Sequence, residues 1–300
     1  MNENNINNLN TMKNIKSKTI GWIGLGVMGL PMAKNLLLAE YKLVVYNRTK
    51  TKEKSLTEAG AESSDSIRDL AEKADIIFIM VSDDEAVRAV FHGEKGLLSA
   101  NVSGRVIINM STISPELSIE MAGLCHEKEH KYMDAPVSGS VKPAEEGSLV
   151  ILTGAEKMLY QEMKPLLEHL GKTAFHMGNV GSGNSTKLAV NLFLAILSHG
   201  LSEAALFARK IGINPADFLE VINASGLRSP YTKIKSKLII ENEYPAAFEL
   251  RHMAKDLRLA TDKGMDSPLG SVVYNTFEEA KVEFGESDVM AVHKYLERIF

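Results

Sequence analysis

The run Thr19-Ile20-Gly21-Trp22-Ile23-Gly24-Leu25-Gly26-Val27-Met28-Gly29 constrains this chain more than any other stretch. It sets G-x-G-x-x-G between a short apolar strand and a helix predicted over 28–38, and that placement gives the glycine spacing its meaning. Gly24 permits a tight turn, Gly26 lets a pyrophosphate approach the backbone, and Gly29 lets helix and strand pack closely. The helix start then offers N–H groups and a partial positive charge to phosphate. Gly24, Leu25, Gly26, Val27, Met28 and Gly29 are therefore read as the phosphate loop of a dinucleotide site.

A second apolar strand, Leu43-Val44-Val45-Tyr46, ends in Asn47-Arg48-Thr49. An enzyme that takes NAD usually carries Asp or Glu there, about 20 residues beyond the glycines, to accept hydrogen bonds from the ribose diol. No carboxylate stands at this strand end. Arg48 can pair with a 2′-phosphate instead. Asn47 and Thr49 can add neutral hydrogen bonds, and Lys50 or Lys52 further charge. The expectation is NADP(H) over NAD(H). It concerns preference only, since a tenfold difference needs about 1.4 kcal/mol.

Apolar runs alternate with helical patterns through the first half, which predicts a parallel sheet with crossover helices. The runs at 76–81 and 106–109 read as central strands covered on both faces. Each ends in a polar segment, Ser82-Asp83-Asp84 and Ser111-Thr112. Ligands of open α/β sheets bind outside the carboxyl ends of strands, so Val81, Ser82 and Thr112 are expected to line the cofactor. Further strands are predicted near 131–135, 149–153 and 173–175. From Ser185 onward helices are predicted over 185–210, 215–224, 231–241, 248–263, 267–283 and 288–298. The fold class is α/β: an N-terminal Rossmann-type dinucleotide-binding domain, then an all-α C-terminal domain joined by a long helix. The expected divisions are a flexible extension over 1–17, the NADP-binding domain over 18–180 and a helical substrate and oligomerisation domain over 181–300.

A net charge of −4 argues against a general nucleic-acid binder. One cysteine, Cys125, excludes an intramolecular disulfide and a multi-cysteine metal site, and no metal is expected. No stretch reads as the run of about 20 apolar residues that spans a bilayer, and the first 18 residues lack a signal-peptide core. The expectation is a cytoplasmic protein with a small-molecule substrate and no nucleic-acid or membrane partner. The apolar helix over 185–210 should be buried in a core or against another subunit, so a homodimer or homotetramer is expected.

Four segments carry candidate chemistry. In Asp134-Ala135-Pro136-Val137-Ser138-Gly139-Ser140, the serine hydroxyls and the N–H groups near Gly139 can hold a carboxylate, or they can serve only the turn. Lys187 and Asn191 share one face of the long helix. A lysine on an apolar face should be desolvated, which lowers its pKa towards the working range of an acid, unless it snorkels to water. In Lys255-Asp256 the two side chains leave a helix in different directions, one towards a cleft and one towards a neighbour, or both lie on a charged surface. In Asn109-Met110-Ser111-Thr112, Thr112 can contact nicotinamide or substrate, or else Ser111, Thr112 or Ser114 caps a helix before Pro115.

Together these segments resemble the β-hydroxyacid dehydrogenase family, which includes 3-hydroxyisobutyrate dehydrogenase, tartronate semialdehyde reductase and the glyoxylate/succinic semialdehyde reductases. The resemblance runs from about Lys18 to the C-terminus. Its motifs appear in order: Gly24 through Gly29 into Leu30-Pro31-Met32-Ala33, then Asp134 to Ser140, then Gly181-Ser182-Gly183 leading to Lys187 and Asn191, then Lys255-Asp256. Val45-Tyr46-Asn47-Arg48-Thr49, the stretch from Ser138 to Gly147 and the stretch from Tyr244 to Lys255 look most like the glyoxylate/succinic semialdehyde reductases. The resemblance implies NADPH-dependent reduction of a small aldehyde acid with Lys187 as catalytic acid. It implies that Asn191 orients substrate or lysine, and that Ser138, Gly139 and Ser140 bind the substrate carboxylate. Thr112 and Lys255 hold the nicotinamide end, Asp256 supports the site, and Phe248 lines the substrate pocket. Many members carry Gly-Gly after the serine where this chain has Gly139-Ser140, a departure the reductase subgroup shares. Two alternatives stand beside this reading. One is an NAD-dependent 3-hydroxyisobutyrate or tartronate semialdehyde enzyme, and the other a non-catalytic NADP-binding regulator.

Overall fold

A computed structural model of the protein describes residues 15–300. The chain divides into two compact units that meet between Lys187 and Leu188.

The described residues of the first unit form a nine-stranded sheet of β1 (Thr19–Ile23), β2 (Lys42–Tyr46), β3 (Glu62–Ser63), β4 (Ile76–Ile79), β5 (Val106–Asn109), β6 (Lys131–Asp134), β7 (Val137–Ser138), β8 (Leu149–Gly154) and β9 (Gly171–Gly178). The order is β3-β2-β1-β4-β5-β6-β8-β7, with β9 paired to β8. The first six strands run parallel. β8 turns antiparallel to β6 and β7, and β9 runs parallel to β8. The chain winds outward from β1 to β2 and β3, then returns to β4 on the other side of β1. The glycine run leaves β1 at this reversal, the place where an open α/β sheet binds its ligand.

Both faces of the sheet are covered, which is why β4 and β5 are apolar without alternation. On one face Trp22 stacks on Phe78 at 5.1 Å, under Met32 and Leu36 of the helix Gly29–Leu38 and Met163 of the helix Lys157–Leu167. On the other, Ile77, Ile79 and Ile107 pack against Leu70, Phe91, Leu117 and Met121 from three helices. Ile15 is buried in the first of these cores, and the Lys16 ammonium lies 4.3 Å from the Tyr41 ring centre. Ile15 and Lys16, at the end of the extension expected over 1–17, thus pack on this unit, and the rest of that extension lies outside the described residues.

The second unit is helical, as the sequence predicts: the remainder of Ser182–Lys210, then Pro215–Ala224, Pro230–Glu241, Leu250–Asp262, Pro268–Phe284 and Val292–Ile299. Three of these helices start with proline behind a capping Asn214, Ser229 or Ser267, a strong local start signal. Ala195, Leu206, Met253, Leu257, Val273, Phe277 and Leu296 form its main core. By length and composition Ser182–Lys210 is apolar enough to cross a bilayer, which corrects the expectation that no stretch comes near that threshold. Lys187, Asn191 and His199 interrupt a long run that is apolar on average. One stripe of the helix is buried (Asn184, Lys187, Asn191, Ala195, Ser198, Ser202), whereas Phe193 and Phe207 are exposed.

Candidate active site

The three glycines of the β1 loop divide their work as the spacing predicts. Gly24 has φ +96°, and a Cβ there would fall 2.2 Å from the Met80 carbonyl oxygen. A Cβ on Gly29 would fall 2.1 Å from the Gly24 carbonyl oxygen, so helix and loop touch through backbone. A Cβ on Gly26 would meet nothing within 4 Å. Gly24 and Gly29 are thus demanded by the protein's own packing, while Gly26 leaves open space above the loop. The helix begins at Gly29 without a side-chain cap, as suits a helix start that receives an anion. These residues fit a pyrophosphate. Leu25 is buried, with its N–H donated to Asn47 Oδ1 at 2.9 Å, and Val27 is exposed.

At the end of β2 the assignments separate. Asn47 also donates from Nδ2 to the Thr49 carbonyl at 2.9 Å, so both ends of its amide brace the loop. Arg48 and Thr49 are exposed, and Arg48 pairs with no carboxylate among the described residues. Lys50, expected to add charge for a phosphate, is held by the protein. Its Nζ lies 3.1 and 3.3 Å from the Glu53 carboxylate oxygens, bonds the Ser64 carbonyl, and sits 4.9 Å from the Tyr46 ring centre. Glu53 is 3% exposed and also accepts the Asn47 N–H at 2.7 Å and the Ser63 hydroxyl. Sequence reasoning missed it, because a glutamate among lysines reads as a solvated surface.

The loops after β4 and β5 are laced together. The buried Ser111 hydroxyl accepts the Val81 N–H at 2.9 Å, and Asn109 Oδ1 accepts the Ser111 N–H at 3.1 Å. Asp83 caps the helix Asp84–Phe91 through the Ala86 N–H at 2.8 Å, and Asp84 accepts the Ser114 N–H at 3.0 Å. Ser114 is the cap of the helix Pro115–Glu127. Of the three capping candidates, Ser111, Thr112 and Ser114, it is Ser114 that caps the helix, and Thr112 stands half-buried beyond the end of β5. Ser82 is exposed.

Asp134, at the carboxyl end of β6, is fully buried. It accepts the Gly181 N–H on Oδ1 and the Asn184 N–H on Oδ2, both at 2.7 Å. It thereby caps, from a separate strand, the long helix that carries Lys187. Burial pushes its carboxyl up to about 6, against the pull of these two N–H bonds. The glycines around it are needed for space: a Cβ on Gly154 would fall 2.3 Å from Oδ1 and one on Gly183 2.8 Å from Oδ2. Asn184 accepts the Ile113 N–H at 3.0 Å and donates to Ser118 Oγ at 3.0 Å, tying the helix start to the loop after β5. Lys187 follows one turn from the cap and is 9% exposed. In the candidate carboxylate loop Gly139 has φ +139°, and neither the Ser138 nor the Ser140 hydroxyl bonds another described group.

In the second unit Asn191 donates to the Asp256 carboxylate, which is 2% exposed. Lys255 Nζ lies 3.0 Å from Asp256 Oδ1, at an angle that leaves that oxygen without a hydrogen bond. The expectation that these neighbours point apart is corrected at their tips, since the flexible lysine folds back towards the carboxylate. Phe248 is half-buried on the main helical core, with its N–H 3.4 Å from Asp288 Oδ2 and its carbonyl accepting the Val289 N–H at 2.8 Å. Among the cations whose placement the sequence left open, Lys235 is buried 2.6 Å from Asp288. Lys237 pairs with Glu241 and Arg251 with Glu249, while Lys233 and Arg228 are exposed.

A sheet with a phosphate loop at its reversal point, followed by a capped helix with a buried lysine, defines a nucleotide-dependent oxidoreductase. Residues 19–178 match the family model described as the NAD binding domain of 6-phosphogluconate dehydrogenase. Residues 181–296 match that described as the NAD-binding of NADP-dependent 3-hydroxyisobutyrate dehydrogenase. The chain is 33% identical over 282 residues to glyoxylate/succinic semialdehyde reductase 2, chloroplastic, of Arabidopsis thaliana, covering 93% of this chain and 78% of that protein. It is 34% identical over 278 residues to glyoxylate/succinic semialdehyde reductase 1 of the same plant, covering 91% and 96%. Among solved structures, 3-hydroxyisobutyrate dehydrogenase of Mycobacterium tuberculosis with L-serine matches with a TM-score of 0.84 at 26% identity, covering 93% of this chain and 99% of that one. The chain belongs to the β-hydroxyacid dehydrogenase family. It is an NAD(P)-binding oxidoreductase of CH–OH groups with hydroxyacid dehydrogenase activity.

Proposed function

We propose that the protein reduces a small aldehyde acid of the glyoxylate or succinic semialdehyde type to its hydroxy acid, prefers NADP(H), and uses Lys187 as proton donor. The observation that carries this reading is the nine-tenths burial of Lys187, one turn into a helix whose start Asp134 clamps to the sheet. When bound along the glycine loop, NADPH would supply the hydride that reduces the aldehyde. As negative charge grows on the carbonyl oxygen, the Lys187 ammonium stabilises it and delivers the proton. Ser138 and Ser140, whose hydroxyls have no partner among the described residues, and the backbone at Gly139 hold the substrate carboxylate. Phe248 lines the pocket, Asn191 orients substrate or lysine, and Asp256 fixes Asn191. Gly24 to Gly29 take the pyrophosphate, Arg48 the 2′-phosphate, and Val81, Ser82, Thr112 and Lys255 the rest of the cofactor. The exposed Phe193 and Phe207 support assembly as a homodimer or homotetramer, in the cytoplasm.

The test is a kcat/KM panel with glyoxylate, succinic semialdehyde, methylmalonate semialdehyde and tartronate semialdehyde, each with NADPH and NADH. Lys187→Ala and Lys187→Arg should lose about 10²-fold or more in turnover, the scale of general acid catalysis, while still binding NADPH. Near-normal turnover in Lys187→Ala with cofactor binding intact overturns the proton-donor role. NADPH binding with no turnover across the panel would favour the regulator reading.

A further inference from the structure

We propose that Glu53 sets how strongly the protein prefers the phosphorylated cofactor, by holding Lys50 away from the 2′-phosphate that Arg48 meets. The inference rests on the reading of Arg48 given above and adds a residue no motif assigns. Glutamate is almost never fully buried unless paired, yet Glu53 is 3% exposed at the carboxyl ends of β2 and β3, the edge where such sheets bind their ligand. Its oxygens are occupied by the Asn47 N–H at 2.7 Å, the Ser63 hydroxyl and the Lys50 ammonium at 3.1 and 3.3 Å. Lys50 is turned inward by three attractions at once: this carboxylate, the Ser64 carbonyl and the Tyr46 ring. Its side chain is nonetheless 48% exposed, so only attraction keeps it there. A four-carbon stem on a strand-end loop can swing outward once the carboxylate charge is gone. Two residues away, Arg48 is exposed with no carboxylate partner among the described residues. The loop thus carries two exposed cations, Arg48 and Lys52, with no carboxylate partner among the described residues, and a third, Lys50, whose charge is committed internally.

Glu53→Gln keeps the side-chain size and the acceptor for the Asn47 N–H but removes the charge that holds Lys50. The readout is the ratio of kcat/KM with NADPH to that with NADH, measured beside NADPH binding by fluorescence. Glu53→Gln should raise the ratio about tenfold, which corresponds to about 1.4 kcal/mol. Glu53→Gln with Lys50→Ala should return it to the wild-type value. Lys50→Ala alone leaves the Glu53 carboxylate without its cation and should lower the ratio or leave it unchanged, never raise it, and it keeps the inference testable if Glu53→Gln folds poorly. A ratio that rises in Lys50→Ala shows that Lys50 does not neutralise Glu53 and overturns the inference. So does an unchanged ratio in Glu53→Gln, or a gain that persists in the double variant. Arg48→Ala tests the underlying reading separately. If it lowers the ratio while Glu53→Gln does nothing, the NADP preference stands and only the role of Glu53 fails. If Arg48→Ala changes nothing, the cofactor reading itself fails.

Discussion

Replacing Asp134 with asparagine should remove a pH dependence of stability that the buried carboxyl imposes on the first unit. In the folded protein burial lifts this carboxyl to about 6 from its usual 3.8. A difference of about two pKa units is worth about 3 kcal/mol. The folded state binds the proton more tightly than the unfolded chain. The stabilisation is therefore complete below about pH 4 and is lost as pH rises through about 6. Asparagine does not titrate. It keeps one carbonyl oxygen for either Gly181 or Asn184 and leaves the other N–H without its acceptor, at a cost of about 1–3 kcal/mol at every pH. At pH 4 the variant should be the less stable protein by that amount. By pH 7 the gap should have closed by about 3 kcal/mol, so the variant matches or exceeds wild type.

The protein provides its own probe for the measurement. Its single tryptophan, Trp22, is fully buried in β1 and stacked on Phe78, so fluorescence during urea unfolding reports on the unit that holds Asp134. Unfolding free energies of wild type and Asp134→Asn would be compared from pH 4 to pH 8. Taking the difference cancels every group the two proteins share. A wild-type-minus-variant difference that stays flat over this range would refute the reasoning, because the carboxyl would then titrate alike in folded and unfolded chains.

Other expectations follow from the same geometry. Gly26→Ala should leave the melting temperature within about 2 °C, since its Cβ enters open space, yet weaken NADPH binding at least about tenfold by fluorescence titration. Gly29→Ala should lower stability by about 1–3 kcal/mol, because its Cβ meets the Gly24 carbonyl and the helix must move. Lys235→Met should cost about 3–5 kcal/mol in urea unfolding by leaving Asp288 buried without its cation, and adding Asp288→Asn should recover part of the loss. Ser140→Ala should raise KM for the aldehyde acid and leave the NADPH KM unchanged. A shift in the cofactor KM instead would place Ser140 elsewhere in the site.

What could be read from the sequence was what is encoded locally. Gly24, Gly26 and Gly29 lie within six residues and report on one turn, and the helices after Asn214, Ser229 and Ser267 announce themselves with a cap and a proline. What could not be read depends on contacts distant in sequence, or on which of two plausible partners a polar group takes. Asp134 was visible as part of a motif. Its partners Gly181 and Asn184 lie 47 and 50 residues away, however, so its capping role required the fold. The bracing role of Asn47 was hidden because its partner, the Leu25 N–H, approaches only when β1 and β2 pair. In the sequence Lys50 reads as charge for the phosphate and Glu53 is not singled out, and only the register of β2 against β3 closes Ser63 over that carboxylate.

These buried polar groups also explain how loops can present a reacting geometry without being regular structure. Loops at strand ends are ordinarily the mobile part of an α/β domain. Here Asp84 holds Ser114, Ser111 holds Val81, Asn109 holds Ser111, Asn184 holds Ile113, and Asp134 holds both Gly181 and Asn184. Each of these links bonds a side chain to a backbone N–H, and Asn109, Ser111, Asn184 and Asp134 are buried. A buried acceptor that loses its donor bears the full desolvation cost, so such links resist opening more than surface bonds do. The chain of links runs from the end of β4 through the loop after β5 to the first turn of the Lys187 helix. Lys187, one turn further on, is thereby referenced to the ends of β4 and β5. In the proposed mechanism, positioning of this kind would let Lys187 act on the developing charge with little reorganisation cost. A substitution at Asn184, which touches neither substrate nor cofactor in the proposed mechanism, should therefore lower kcat more than it raises either KM.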